Sequence, residues 1–137
     1  MVVLGIDLGS RRIGLAVSDP GGIVALPVGT LQSHGLERDL KAVGEVARER
    51  GAERVVVGLP IHMNGSEGPE AKGARRFAER LSQTTGLPVD TLDERWTTVE
   101  AERALDETGA RRKRKRVVVD DLAATILLRS YLEREAR

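Results

Sequence analysis

The side chains best suited to chemistry in this 137-residue chain are acidic, and they sit at the ends of apolar runs. Asp7 interrupts "VVLGIDL" at residues 2–8, Glu94 stands in "LDERW", and Asp120 and Asp121 follow three valines in "VVVDDLAA". A carboxylate buried without a partner is strongly destabilising. Three gathered at one spot also repel one another unless positive charge lies between them. One or two divalent cations supply that charge. In a two-ion site with a separation of about 3.5–4 Å, they activate a water and stabilise the leaving oxygen of a phosphodiester. The chain has no cysteine and only two histidines, His34 and His62, far apart in sequence. Disulfides and thiolate metal sites are therefore excluded, and an all-oxygen ligand set points to magnesium or manganese.

Each acid also has a plain structural reading. Asp7 is acceptable as a turn residue at a strand end, and Glu94 beside Arg95 as a surface ion pair. Either Asp120 or Asp121 would serve as an ordinary helix N-cap. The constellation, not any single residue, favours a metal site. His62 and Asn64, in the loop after "GLP", read as surface residues.

The acids need elements that carry them to one place. Residues 2–8, 13–17 and 23–31 read as three strands with short connections, an antiparallel meander. Pro27 costs the third strand a ladder hydrogen bond and places it at an edge or in a bulge. Leu36, Leu40, Val43, Val46 and Ala47 then recur at helical spacing, with Gly51 as the stop. "ERVVVGLP" (53–60) is an uninterrupted apolar strand of the buried parallel kind. A polar loop spans 61–69. Ala71, Ala74, Ala78 and Leu81 mark a second helix, and 88–93 a fifth strand. A third helix opens at Thr97, where Thr97 and Glu100 have capping-box spacing and Trp96 is placed to staple against Ala101. A last helix runs over about 120–135. The order β-β-β-α-β-α-β-α-α predicts one α/β domain over residues 1–137, a five-stranded mixed sheet with helices on both faces. Strands one and four should be central neighbours, with strand five beside them.

Net charge is +1, from 22 basic and 21 acidic residues, so total charge selects no partner. Its distribution is more informative. "RRKRKR" sets six cations in a row just before the last helix, a natural contact for a phosphate backbone. With one Phe, one Trp and one Tyr, the chain offers few aromatic platforms for single-stranded bases. No apolar stretch approaches the roughly 20 residues that cross a bilayer, and the N-terminus has no secretory pattern. A cytoplasmic protein without membrane contact is expected.

Together, "GIDLGSRRIGLAVSD", "VVVGLPIHMNGSEGPEA", "LDERWTT" and "VDDLAATILLRSYL" resemble the bacterial YqgF/RuvX family. Its members are described as Holliday junction resolvases or pre-16S rRNA nucleases, similar to RuvC resolvases and within the ribonuclease-H-like superfamily. The resemblance spans almost the whole chain and four motifs in order. It implies the ribonuclease-H-like fold and Mg2+- or Mn2+-dependent phosphodiester hydrolysis, leaving a 3′-hydroxyl and a 5′-phosphate. It makes Asp7, Glu94 and Asp120 both the catalytic acids and the metal ligands, of two ions in the superfamily's manner of working. Asp121 is an adjacent alternative to Asp120. Val118 stands where a small residue is common in the family. Arg12, Arg95 and the tract Arg111, Arg112, Lys113, Arg114 and Lys115 are the expected phosphate contacts. The implied substrate is precursor 16S rRNA, cut near its 5′ end. Four-way DNA junctions are the alternative, and a non-catalytic ribosome-assembly or nucleic-acid-binding role is a further one. Either a monomer or a homodimer is compatible with these readings, although concerted cutting of two junction strands requires two sites related by a two-fold axis.

Overall fold

A computed structural model of the chain describes residues 1–97 and 116–136, and for 116–121 the backbone alone. Five strands form one sheet: β1 (Val3–Leu8), β2 (Arg12–Ser18), β3 (Ala25–Gln32), β4 (Arg54–Leu59) and β5 (Val89–Asp93). The helices are α1 (Leu36–Glu49), α2 (Pro69–Thr85) and α3 (Arg116–Glu135), with a 3-10 turn at Glu94–Trp96. The helix expected from Thr97 onward lies outside the described residues, as does the basic tract at 111–115.

The sheet order is β3-β2-β1-β4-β5. β1 pairs antiparallel with β2 and parallel with β4, and β4 pairs parallel with β5, so the mixed sheet follows the sequence reading. β3 lies at the edge, as Pro27 requires, and also carries the bulge. Leu15 faces Gly29 while Ala16 faces Pro27, which leaves Val28 as the extra residue, next to Gly29 at φ 134°. β3 starts two residues later than the apolar run suggests. The Asp19 carboxylate accepts hydrogen bonds from the N–H groups of Ile23 and Val24, and so holds both residues in the turn.

β1, β2 and β4 are buried on two sides because each face has its own helices. Leu4, Ile6, Ile13, Leu15, Val55, Val57 and Leu59 pack against α1 and α2. Val3, Ala16, Val56 and Leu92 pack against α3 through residues such as Ala124, Leu127 and Leu128. At about 25 cal/mol per Å2 of apolar surface removed from water, these two layers are the main source of stability. α2 ends at Gly86, whose left-handed conformation (φ 75°) lets its N–H reach the Ser82 carbonyl.

α3 begins at Arg116, four residues before the expected start. Aspartates favour caps and valines favour strands, so local propensity places the boundary too late. The aspartate pair therefore lies in the second turn of α3 rather than at its N-cap.

The far end of α3 is tied to the sheet by polar groups. The Tyr131 hydroxyl donates to Asp90 of β5, and Arg54 of β4 donates to both, at 3.1 Å to Asp90 and 3.2 Å to Tyr131. Burial, with the Asp90 carboxylate adding to it, pushes the Tyr131 hydroxyl up to about 12. The folded state thus binds this proton more tightly than the unfolded chain, where a tyrosine titrates near 10. The resulting stability is complete below about pH 10 and lost as pH rises towards 12. Tyr131 is the chain's one tyrosine, so ultraviolet titration should show phenolate forming near 12 in the folded protein, and earlier in Asp90→Asn. Titration of the folded wild type near 10 would contradict this arrangement.

Candidate active site

Side chains alternate across a strand, so one face of the sheet can be read residue by residue. Val3 packs beneath α3, which puts Gly5 and Asp7 on the same face of β1. Ala16 does the same for Gly14 and Arg12 on β2, and Val56 for Gly58 on β4. Asp7 pairs with Gly14 on one side. On the other, extending the register from Ile6–Val57 sets it level with Gly58. Asp7 is thus surrounded on its own face by Gly5, Gly14 and Gly58, a floor without Cβ atoms. It is only 3 % exposed.

Glu94 reaches that floor from the end of β5. Its carboxylate lies over β4, with Oε1 3.0 Å from where a Cβ on Gly58 would stand. It is 5 % exposed. β4 separates β5 from β1, so it is the Glu94 side chain, reaching over Gly58, that comes within one strand spacing (about 4.8 Å) of the position of Asp7. Two of the three acids singled out from the sequence are thus brought to one end of the same sheet face.

The "DER" triplet divides its work. Asp93 caps the 3-10 turn by accepting from the Arg95 N–H at 2.9 Å. It also accepts from Arg95 Nε and Nη2, at 2.9 and 2.6 Å. The guanidinium holds the Asp93 carboxyl below the usual aspartate value. Thr97 secures the other end of the turn, its N–H and hydroxyl both donating to the Glu94 carbonyl. Arg95 is thus aimed by Asp93, while its Nη1 lies near Gly65 of the 61–68 loop. Trp96 stacks under Arg134, whose guanidinium carbon is 4.6 Å from the ring centroid, while its expected staple partner Ala101 lies outside the described residues.

Arg12 opens β2 on the face that carries Asp7, and its carbonyl accepts the Gly9 N–H at 2.8 Å in the turn between the strands. In the 61–68 loop the Asn64 side chain accepts from the Ser66 N–H and hydroxyl, and His62 N–H donates to the Ser66 carbonyl. Asn64 thus shapes the turn, consistent with its reading as a surface residue.

The third acid comes from α3. A Cβ on Gly5 would stand 2.9 Å from Leu128 Cβ and 3.4 Å from the Ala124 carbonyl oxygen, so α3 crosses β1 there. Tyr131 lies near the starts of β4 and β5, so α3 runs antiparallel to these strands. From Ala124 back to Asp120 is four residues, about 6 Å along the axis. From Gly5 on to Asp7 is two residues, about 6.6 Å. The N-terminal turns of α3, which carry the backbone of Asp120 and Asp121, therefore run from Gly5 towards the end of the sheet where Asp7 stands. Only the backbone of these two aspartates is described, and among the described residues no three acids or histidines form a metal-sized group. The tract Arg111, Arg112, Lys113, Arg114 and Lys115 lies outside the described residues.

The family model for RuvX, described as Holliday junction resolvase, matches residues 1–134. The chain belongs to the RuvX family. A Moorella thermoacetica protein named "Putative pre-16S rRNA nuclease" is 47 % identical over 134 residues, covering 98 % of this RuvX chain and 96 % of its own length. A Leuconostoc mesenteroides protein of the same name is 43 % identical over 140 residues, covering 100 % and 98 %. Among solved structures, Thermus thermophilus RuvC in complex with a Holliday junction substrate superposes with a TM-score of 0.63 at 20 % identity, covering 98 % of this chain and 96 % of that one. Fowlpox virus resolvase with Holliday junction DNA gives 0.57 at 13 % identity over 100 % of both chains. These likenesses establish the ribonuclease-H-like fold of this RuvX chain.

Sequence reasoning finds the acids but not the glycines between them. The pattern G-I-D on β1, with glycine in "RIGL" and "VVVGL", is the available signal. Gly5→Ala should force α3 off β1 at a cost of about 1–3 kcal/mol, as overpacking does. The measurement is the urea midpoint, and an unchanged midpoint would refute the close crossing.

Proposed function

We propose that this RuvX chain is a single-domain, divalent-metal-dependent endonuclease of structured nucleic acid, with precursor 16S rRNA as substrate. The observation that carries the reading is buried Glu94 lying over Gly58, the glycine that register sets beside buried Asp7; the α3 turn with Asp120 and Asp121 runs towards the same end of the sheet. The name shared by relatives more than 40 % identical over nearly the whole chain supports the choice of substrate.

The donor set fits a hard cation. It is made of carboxylate oxygens, and the Gly58 cradle that Glu94 occupies would be filled by any larger residue. Asp7, Glu94 and Asp120 would hold Mg2+ or Mn2+, in a pair in the two-ion form of this chemistry. When bound, such ions stabilise charge on phosphoryl oxygens and make a nucleophile available at neutral pH. The chain itself supplies position. β1 and β5 present two acids from rigid strand ends, and α3 brings the third along its axis. Arg95, braced by Asp93, and Arg12 on the rim orient the phosphate backbone. The tract Arg111, Arg112, Lys113, Arg114 and Lys115 adds sequence-independent attraction.

A four-way DNA junction is the second substrate, favoured by the family's description and by the junction-bound RuvC neighbour. Incubating the purified protein with precursor rRNA and with a synthetic junction, in Mg2+ or Mn2+, separates the two. Sedimentation on the junction reports whether one or two subunits bind. Among the described residues no helix is long and apolar enough to cross a membrane.

Asp7→Asn and Glu94→Gln should each reduce cleavage to background while nucleic-acid binding persists. Comparing Asp120→Asn with Asp121→Asn identifies the α3 ligand. Cleavage by Asp7→Asn at the wild-type rate would sink the reading. Replacing Arg111, Arg112, Lys113, Arg114 and Lys115 by alanine should flatten the plot of log affinity against log salt, by about 0.7–0.9 for each phosphate no longer neutralised. An unchanged slope would remove the tract from the interface.

A further inference from the structure

We propose that Gly58 is a positioning residue for Glu94: the missing side chain on β4 fixes how deeply the Glu94 carboxylate seats beside Asp7. This inference rests on the metal-dependent reading above. Glycine is costly inside a strand, and Gly58 follows three valines in the buried centre of the sheet. Its backbone conformation does not explain it, since its φ is not positive and any residue could adopt it. Space does explain it. A Cβ there would stand 3.0 Å from Glu94 Oε1 and 3.2 Å from both its Cδ and its Cγ.

An added methyl group would press on the length of the Glu94 side chain, not on its tip alone, and the side chain would have to give by a few tenths of an ångström. Glu94 has little freedom to retreat through its backbone. The cap from Asp93 to the Arg95 N–H and the two bonds from Thr97 to the Glu94 carbonyl fix the turn that carries it. With the turn fixed, the side chain itself gives, which moves the carboxylate off the sheet by a few tenths of an ångström. Mg2+ demands near-ideal octahedral geometry at about 2.0–2.1 Å, so it tolerates such a shift least.

Gly58→Ala should weaken Mn2+ binding by about 10–100-fold, the range for losing support around a metal ligand. The readout is the electron paramagnetic resonance signal of free Mn2+ titrated with the protein, with the metal alone as probe. Cleavage should fall further in Mg2+ than in Mn2+, through kcat, with KM for nucleic acid unchanged. Wild-type Mn2+ affinity and an unchanged Mg2+-to-Mn2+ activity ratio in a folded Gly58→Ala protein would overturn the proposal.

A second measurement covers loss of the fold. The destabilisation caused by Gly58→Ala should largely disappear in a Glu94→Ala background, because the two positions collide directly. Equal destabilisation in both backgrounds would also overturn the proposal. If wild-type protein binds no Mn2+, the metal reading itself fails, whereas the coupling between positions 58 and 94 is judged on stability alone.

Discussion

The closeness of α3 to β1 governs the rest of the molecule. A helix crosses a sheet at the distance its side chains allow, and over Gly5 there is no side chain on the strand to hold it off. Leu128 and Ala124 therefore seat directly on the β1 backbone, and residues 123–128 are all buried. The helix is then fixed in depth by this contact and along its axis by Tyr131, which engages Asp90 and Arg54 at the opposite end. With both contacts made, the helix is held across the sheet face, and its second turn runs on past β1.

The same economy of atoms explains the acids. A carboxylate inside a sheet is unfavourable where it is crowded by apolar neighbours. Around Asp7 the flanking positions on its face are glycines, so space there is left for polar groups or ions instead of being filled by methyls. Glu94 exploits the gap over Gly58. Asp93 and Arg95, flanking it in sequence, neutralise each other and serve as a brace. Only the middle residue of the triplet extends its charge over the strand ends.

Most of the framework is legible in the chain. The change from period two to period 3.6 after residue 32 separates the meander from the α/β units, and Pro27 announces the edge strand with its bulge. The three-valine run before Gly58 marks a strand covered on both faces. What escapes has physical causes. The start of α3 is misplaced because valines and aspartates have weak local preference for helix interiors, and packing against the sheet overrides it. The contact between Trp96 and Arg134 escapes because the two are remote in sequence. The glycine floor is invisible because it exists only once register aligns Gly14 and Gly58 with Asp7. Asp120 is legible as an acid of the last helix, while the choice between it and Asp121 depends on side-chain direction, which spacing does not encode.

The bulge at Val28 has an effect beyond the geometry of its hairpin. An outermost strand offers its unused amides to any passing chain, and the segment around Leu26, together with exposed Ile23 and Val24, is apolar enough to stick. Pro27 withholds an amide there, and the extra residue spoils the regular spacing that a foreign strand would need. The hairpin thus carries its own guard against fibril-like stacking, and a homodimer, if formed, is steered away from a continuous ten-stranded sheet joined through β3.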